Sequence, residues 1–491
     1  MAHASMKGQQ SSLRKHHNTA PPTTPSPNLK AKALRGGAYI VARQAVGMVL
    51  SLIGVLCVTR VIGPTEFGVF AAAYGIVGFA ANVGTWGIDV YLIRKPEAVQ
   101  NSEYALGFTL LLAIGLCFAT VTLVARSFVS NLIHIPRAAN VFVVLAAYIP
   151  ISLLALPGVV QLDRALRFRR VAYNELASQI LNYAAAVPLA LSGAGVWAPT
   201  VGLLIQQVSL LTLTYIGTDF HPRLYWDGGQ AKRMLTYGLS YSSSIWVWQL
   251  RTLINPIIVG RLAGATAVGN VALAIRMADV LSFAKNATWR VAMATLAKLN
   301  ENRERLRKSI EEGMRLQAVA VGLPLAAFAV LAPLVLPPIF GHRWDSALKV
   351  FPFIAIGYLS NCMFNIHSSV LYLLCKNMRV TWFHVTHVIV FVTAVLLFVP
   401  LFGTIGYGLG EICAITAYWV IHRAVVESVG SPAYRSALVW FLVAAFAIIA
   451  SQGNAYERSL AVTILVVPFL VPRERAHIAS YARMLLSSSG A

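Results

Sequence analysis

The chain of 491 residues is 57 % hydrophobic and only 12 % charged, about half the charged share of ordinary globular domains, so it cannot clothe a soluble globule in polar surface. Its formal charge of +22, from 40 Lys and Arg against 18 Asp and Glu, is spread along the sequence without a soluble basic helix face, which excludes nucleic-acid binding as its meaning. Apolar stretches of about 20 residues, enough to cross a hydrocarbon layer of roughly 30 Å, recur from Gly37 almost to the last residue, so the expected partner is the lipid bilayer.

Residues 1–35 stand apart, rich in Ser, Thr, Pro, Lys and Arg and without the apolar core of a signal peptide. They read as a disordered basic cytoplasmic tail brushing anionic lipid. Beyond them the apolar runs, cut at charged or Gly/Pro-rich breaks, predict an all-α polytopic membrane protein of about fourteen transmembrane helices. These span 37–60, 67–92, 103–128, 139–161, 171–192, 196–217, 236–261, 267–295, 315–337, 347–375, 379–401, 404–426, 433–450 and 456–472. They divide into an N-lobe of six helices (36–217), a cytoplasmic interlobe linker (218–235), a C-lobe of six (236–428), and a segment 429–491 holding two additional helices and a basic tail. Lys and Arg are about four times as frequent in the loops on the side of the N-terminal tail as in the others, which places both termini in the cytoplasm. Cys57, Cys117, Cys362, Cys375 and Cys413 all fall inside apolar runs and read as packing residues with free thiols.

The chain repeats itself. Arg60, Gly63 and Gly68 follow helix one with the spacing R-x-x-G-x-x-x-x-G, and Arg261, Gly264 and Gly269 follow helix seven with the same spacing. Phe79 and Asn82 are echoed by Phe283 and Asn286, each pair followed by a tryptophan, Trp86 or Trp289. Gly195, Val196 and Trp197 open helix six much as Gly406 and Tyr407 open helix twelve. Six helices per unit is an even number, so the two copies share one orientation and form a parallel repeat around a central cavity. The glycines suit tight interhelical turns, and each such loop taken singly reads as a reverse turn.

Charge within the apolar segments marks candidate cavity residues. A cation at mid-bilayer depth costs about 2.5–3.5 kcal/mol when it faces lipid, so Arg43, Arg251, Arg276, Lys285 and Arg290 need water, a partner or a ligand. In helix one, Arg43, Gly47, Ser51 and Gly54 share a small, polar stripe, and in helix seven Ser244, Trp248, Arg251 and Asn255 do the same, with Pro256 expected to kink it. Helix eight sets Arg276, Asp279, Asn286 and Arg290 within about 80° of arc, and helix two presents Asn82, Thr85 and Asp89. Two readings stay open: a cationic, hydroxyl- and amide-lined cavity between the lobes, or structural pairing, in which Asp279 neutralises Arg276 and Arg43 and Arg290 snorkel from helix ends. In the first, the ligand carries negative charge and hydroxyls, since guanidinium forks suit phosphate and Trp246 and Trp248 can stack on sugars. His384 and His387 lack an accompanying metal-ligand set, and no cofactor or metal is expected. A membrane glycosyltransferase or polymerase, the alternative from another class, needs clustered acid/base groups that the short external loops do not supply, so the chain does not read as an enzyme.

In these features the sequence resembles the oligosaccharide-lipid, or polysaccharide repeat-unit, flippases of the multidrug/oligosaccharidyl-lipid/polysaccharide exporter superfamily. The resemblance rests on Arg60 to Phe70, Leu92 to Arg94, Leu166 to Arg169, Gly195 to Ala198 and Gly260 to Gly269, in that order, and covers most of residues 35–430. It implies two lobes moving by alternating access in the inner membrane, with undecaprenyl-pyrophosphate-linked sugars as cargo and a polysaccharide polymerase and export machinery as further partners. Related antiporters of small molecules or drugs commonly carry an acidic residue in the first helix, which this chain lacks; a peptidoglycan-precursor flippase is the other near alternative.

Overall fold

The computed structural model describes residues 27–282, 285 and 303–470, and over these the chain is helical without strands. In lipid every backbone N–H and C=O must find its partner inside the protein, so an open chain of this composition can only be helical. The first half contains α1 (Pro27–Gly84), α2 (Ile88–Arg94), α3 (Asn101–Leu132), α4 (Ala138–Leu145), α5 (Tyr148–Arg164), α6 (Phe168–Leu191) and α7 (Trp197–Ile216). The second contains α8 (Gly228–Gln249), α9 (Gly260–Leu281), α10 (Arg303–Phe340), α11 (Asp345–Leu373), α12 (Asn377–Phe402), α13 (Thr404–Ala414), α14 (Tyr418–Val429), α15 (Arg435–Ala450) and α16 (Ala455–Leu470). Within the halves α6 packs on α7, α3 on α5, α12 on α13 and α10 on α15, and the halves meet where α1 lies along α9.

Among the described residues nine helical stretches are long and apolar enough to cross a membrane. Two of them, Val46–Gly84 and Ile245–Leu281, run to 39 and 37 residues. At about 1.5 Å per residue each is nearly twice the thickness of a hydrocarbon layer, so each is two crossings joined without a loop. The bends fall on the repeated glycines, Gly63 (φ 77°, ψ 172°) and Gly264 (φ 77°, ψ −179°). That backbone region is open essentially only to glycine, and Pro64 restarts the helix where its missing N–H costs little. A second departure from the sequence reading is α10, which is already helical at Arg303, well before 315. Its charged first turns are held by Lys308 and Glu304 3.0 Å apart, while Leu306, Ile310 and Met314 are buried. An amphipathic extension of this kind has too many charges to register as a span.

The two glycine turns pack on each other. Thr65 and Thr266, 201 positions apart, share a hydrogen bond of 2.8 Å between their hydroxyls. A methyl added to Gly68 would run into the Ala265 carbonyl oxygen, and one added to Gly269 would run into the Pro64 carbonyl oxygen. Each contact is the other under the same offset, and residues that meet their own repeat equivalents mark a two-fold axis. Around it the His134 ring Nδ1 lies 3.0 Å from the Arg261 carbonyl oxygen, Arg261 donates to the Leu132 carbonyl at 3.3 Å, and Trp344 stands edge-on to Phe67 with centroids 6.1 Å apart. The halves also touch near the opposite face, where a methyl on Gly238 would strike the Trp86 carbonyl and Tyr91 meets Tyr237 edge-on.

Gly63→Ala is expected to cost about 1–3 kcal/mol, and Gly68→Val at least as much by forcing the backbones apart. Gly78→Ala, whose added methyl meets only the Tyr74 ring at 3.7 Å, is the near-neutral control. Thermal unfolding in detergent ranks the three, and equal midpoints for Gly68→Val and Gly78→Ala would overturn the close crossing.

Candidate functional site

Next to the crossed turns, between the halves, lies a cavity of about 750 Å³. The first half contributes Phe67, Phe70 and Tyr74 from α1 and an amide-rich surface from α6 and α7, with Gln179, Asn182, Gln206 and Gln207. Asn182 donates to Gln206 across the two helices at 2.8 Å. All the charge comes from the second half: Arg251, Arg276 and Lys285 against Asp279 and Glu411, an excess of one positive charge among the described lining residues.

Arg251 and Asn255 sit where the helix is rewound. After α8 the chain forms a 3-10 turn, Leu250–Leu253, and then a π segment, Ile254–Val259, before α9 begins. Pro256 has no N–H to donate and its ring crowds the carbonyl four residues earlier, so the α path cannot continue through it. Segments of this type concentrate at functional sites. Asn255 is itself buried and donates to the Val268 carbonyl at 3.2 Å, which ties the rewound segment to α9.

The two arginines differ in what holds them. Arg251 pairs with Glu411 of α13 at 2.6 Å and lies 4.7 Å from the Trp248 ring centroid, its side chain 15 % exposed and that of Glu411 2 %. A pair this enclosed is committed to its partner, because leaving either charge alone in low dielectric costs several kcal/mol. Arg276 is 43 % exposed, sits 3.9 Å from Asp279, and donates to the Ser51 hydroxyl on the opposite half. It is the cation placed to change partners. Lys285 donates to Asn361 of α11 at 2.7 Å at the cavity wall.

Of the sequence candidates, Trp248, Arg251, Asn255, Arg276 and Asp279 line this cavity. Arg290 lies outside the described residues, as do the side chains of Arg43 and Ser244. Asn82 and Asp89 are not among the lining residues. Asn82 donates back to the Gly78 carbonyl at 2.9 Å on an exposed face. Between them α1 ends at Gly84, and Trp86 (φ 43°) and Gly87 (φ 65°) turn the chain, so the two never share one helical face. The stripe of Gly47, Ser51 and Gly54 turns toward α6 and not simply into the cavity. Gln179 donates to the Gly47 carbonyl at 2.9 Å, the Tyr183 hydroxyl to the Ser51 carbonyl at 3.2 Å, and a methyl on Gly54 would overlap the Tyr183 ring. Small residues at such positions let membrane helices approach closely. The sequence reading missed Glu411 and the α6–α7 amides, although a carboxylate inside an apolar run such as 404–426 is itself a signal.

A helical membrane protein with two-fold related halves and a charged cavity between them has the architecture of a two-lobed transporter. The family described as "Polysaccharide biosynthesis protein" matches residues 57–349, and the chain belongs to it. It is 24 % identical over 343 residues to the succinoglycan biosynthesis transport protein ExoT of Rhizobium meliloti (strain 1021), covering 69 % of each chain. It is 20 % identical over 419 residues to the lipopolysaccharide biosynthesis protein WzxC of Escherichia coli (strain K12), covering 82 % of this chain and 83 % of that one. Among solved structures it is similar to the lipid II flippase MurJ in an inward closed conformation, with TM-score 0.69 and 13 % identity over 87 % of this chain and 97 % of that one. It is also similar to an inward-facing multidrug resistance MATE family transporter of the MOP superfamily, with TM-score 0.56 and 16 % identity over 78 % and 99 %. At these identities the two structures establish the fold.

Removing one member of the enclosed pair, by Arg251→Ala or Glu411→Ala, is expected to destabilise the protein by about 3–5 kcal/mol, while Arg251→Met with Glu411→Leu costs markedly less. Unfolding of the purified variants in detergent measures this. A double variant destabilised by the sum of the two single losses would show that the two charges act independently.

Proposed function

We propose that this protein flips undecaprenyl-pyrophosphate-linked oligosaccharide repeat units across the inner membrane for export as exopolysaccharide or O-antigen. The observation that carries the reading is the half-exposed Arg276, bridging to Ser51 across the cavity between the lobes, in a chain whose relatives are named for succinoglycan transport and lipopolysaccharide biosynthesis. Arg276 and Lys285 draw in the pyrophosphate, for which guanidinium gives paired, charge-assisted hydrogen bonds. The amides of α6 and α7 face the sugar hydroxyls, and the lipid tail stays in the bilayer through a lateral gap between lobes. Arg251, neutralised by Glu411, positions the rewound segment.

Both termini face the cytoplasm, so the crossed glycine turns lie on the external side and close that side in this state. Alternating access then consists of parting the turns and tightening the opposite face around the contacts of Gly238 with Trp86 and of Tyr237 with Tyr91, after which a polymerase and the export machinery take the repeat unit. The excess of positive charge disfavours small cationic drugs as cargo.

Cells lacking the protein are expected to accumulate lipid-linked sugars on the cytoplasmic side. In proteoliposomes Arg276→Gln is expected to slow flipping of the extracted lipid-linked oligosaccharide about tenfold, equivalent to roughly 1.4 kcal/mol of lost interaction. Normal accumulation patterns in the deletion strain would remove the reading. In a chain stripped of its native cysteines, Thr65→Cys with Thr266→Cys is expected to cross-link under mild oxidation and halt transport until reduced. Transport that continues through the cross-link would show that the turns are not a gate.

A further inference from the structure

A second, smaller cavity of about 170 Å³ opens within the second lobe, enclosed by α8, α11, α12 and α14. Trp248, Lys285 and Asn361 line both this pocket and the interlobe cavity, so the two are neighbouring chambers sharing one wall.

Its walls have two characters. One is an aromatic shelf: Trp248 stacks on Phe383 with centroids 6.2 Å apart and planes at 28°, Phe383 meets Tyr418 at 5.1 Å, and the His384 ring lies 5.0 Å from Trp248. The other is a polar stripe on α11. Asn361, Asn365, Ser368 and Tyr372 all line the pocket, and their spacing of i, i+4, i+7 and i+11 puts them on one helical face. The rest of this stretch of α11 is largely buried: Cys362, Met363, Ile366, Val370 and Leu371 pack into the core, and the buried His367 ring is paired with the Tyr434 hydroxyl at 2.8 Å. Asn361 is engaged, accepting from Lys285 at 2.7 Å and donating to the Tyr418 hydroxyl at 3.3 Å. The side chains of Asn365 and Ser368 have no hydrogen-bond partner among the described residues. Amide and hydroxyl groups held deep in a membrane protein without partners cost free energy unless water or a ligand satisfies them.

We propose that this pocket is a subsite for a single sugar ring of the cargo, and that it supplies part of the selection among oligosaccharides. A pyranose has C–H-rich faces and a rim of hydroxyls, and it matches a shelf of aromatic faces bordered by amides and a serine hydroxyl. The volume equals that of roughly six waters, room for one ring and not for a chain of them. The ring lies against Trp248 and Phe383, its hydroxyls reach Asn365 and Ser368, and Lys285 at the shared wall stays with the charged head in the larger chamber. A lipid tail or an apolar drug would leave the α11 stripe unpaired, and a cation would meet Lys285 and Arg251 on the way in. Sites built to hydrogen-bond hydroxyls reject analogues that lack them far more strongly than apolar pockets do.

The inference rests on the flippase reading, and binding to two lipids separates the two. The probes are undecaprenyl pyrophosphate without sugar and the lipid-linked oligosaccharide extracted from the producing cells, each titrated into purified protein in nanodiscs. The wild-type protein is expected to bind the sugar-bearing lipid more tightly. Asn365→Leu and Ser368→Leu, which fill the pocket with apolar atoms, are expected to weaken that binding about tenfold and leave the bare lipid pyrophosphate within about twofold, which also reports that the variants are folded. Arg276→Gln is expected to weaken both. Equal weakening of both lipids by the pocket variants, or equal affinity of the wild-type protein for both, overturns the sugar subsite while leaving the flippase reading in place. Binding of neither lipid by the wild-type protein overturns the flippase reading and the subsite together.

Discussion

Two backbones cross at Gly68 and Gly269 so closely that neither position has space for a methyl group, each facing a carbonyl oxygen of the other turn. This crossing fixes how the halves relate. It needs Gly63 and Gly264 to fold each pair of crossings back without a loop, in a backbone region closed to other residues. It also needs the equivalent Thr65 and Thr266 to meet on the axis. With the turns clamped together, the interlobe cavity lies beside them, lined by Phe67, Phe70 and Tyr74 of α1 and by Ile275, Arg276 and Asp279 of α9. Contacts through glycine bury little side chain and interlock little, which makes them a suitable closure for the proposed cycle, in which the halves part and rejoin.

The scaffold is two-fold, but its chemistry is not. Under the offset of 201 that relates Thr65 to Thr266, Arg251 corresponds to Leu50, Arg276 to Gly75 and Asp279 to Gly78. The second lobe holds the charges, and the first lobe meets them with amides, aromatic rings and hydroxyls. Such a division suits a cargo with a compact anionic head and a larger neutral body, since one lobe can grip the head while the other slides over hydroxyls. The hydrogen bond from Arg276 to Ser51 is the point where the charged lobe touches the neutral one.

Much of this was legible in the sequence because bilayer constraints are one-dimensional. Hydropathy locates nearly every crossing, and the paired R-x-x-G-x-x-x-x-G motifs point to the repeat. A motif cannot show that its two copies face each other; read singly, Gly63 and Gly264 were reverse turns, and only the fold makes them halves of one contact. Helical periodicity placed Trp248, Arg251, Arg276 and Asp279 on cavity-facing surfaces. It failed for Asn82 and Asp89, because an unforeseen turn at Trp86 and Gly87 separates them, and for Gly47 and Gly54, because a stripe of small residues suits a close helix neighbour as well as a void. Glu411 is a single carboxylate in a long apolar run and carries no periodic pattern of its own, although any buried cation calls for a carboxylate.

That carboxylate changes the meaning of the buried charge. An arginine in an apolar segment first suggests a ligand site, yet Arg251 has given its charge to Glu411 and its face to Trp248. The same Trp248 borders the chamber within the second lobe. The pair therefore stands between the interlobe cavity and the aromatic shelf, holding the 3-10 turn against α13 so that the ring keeps its position in both. Where a helix is rewound and its hydrogen-bond ladder weakened, position has to come from side chains, and here it comes from one ion pair anchoring one indole. The charge of Arg251 thus serves the geometry of an uncharged surface, and in the proposed transport cycle anion recognition falls to Arg276 and Lys285.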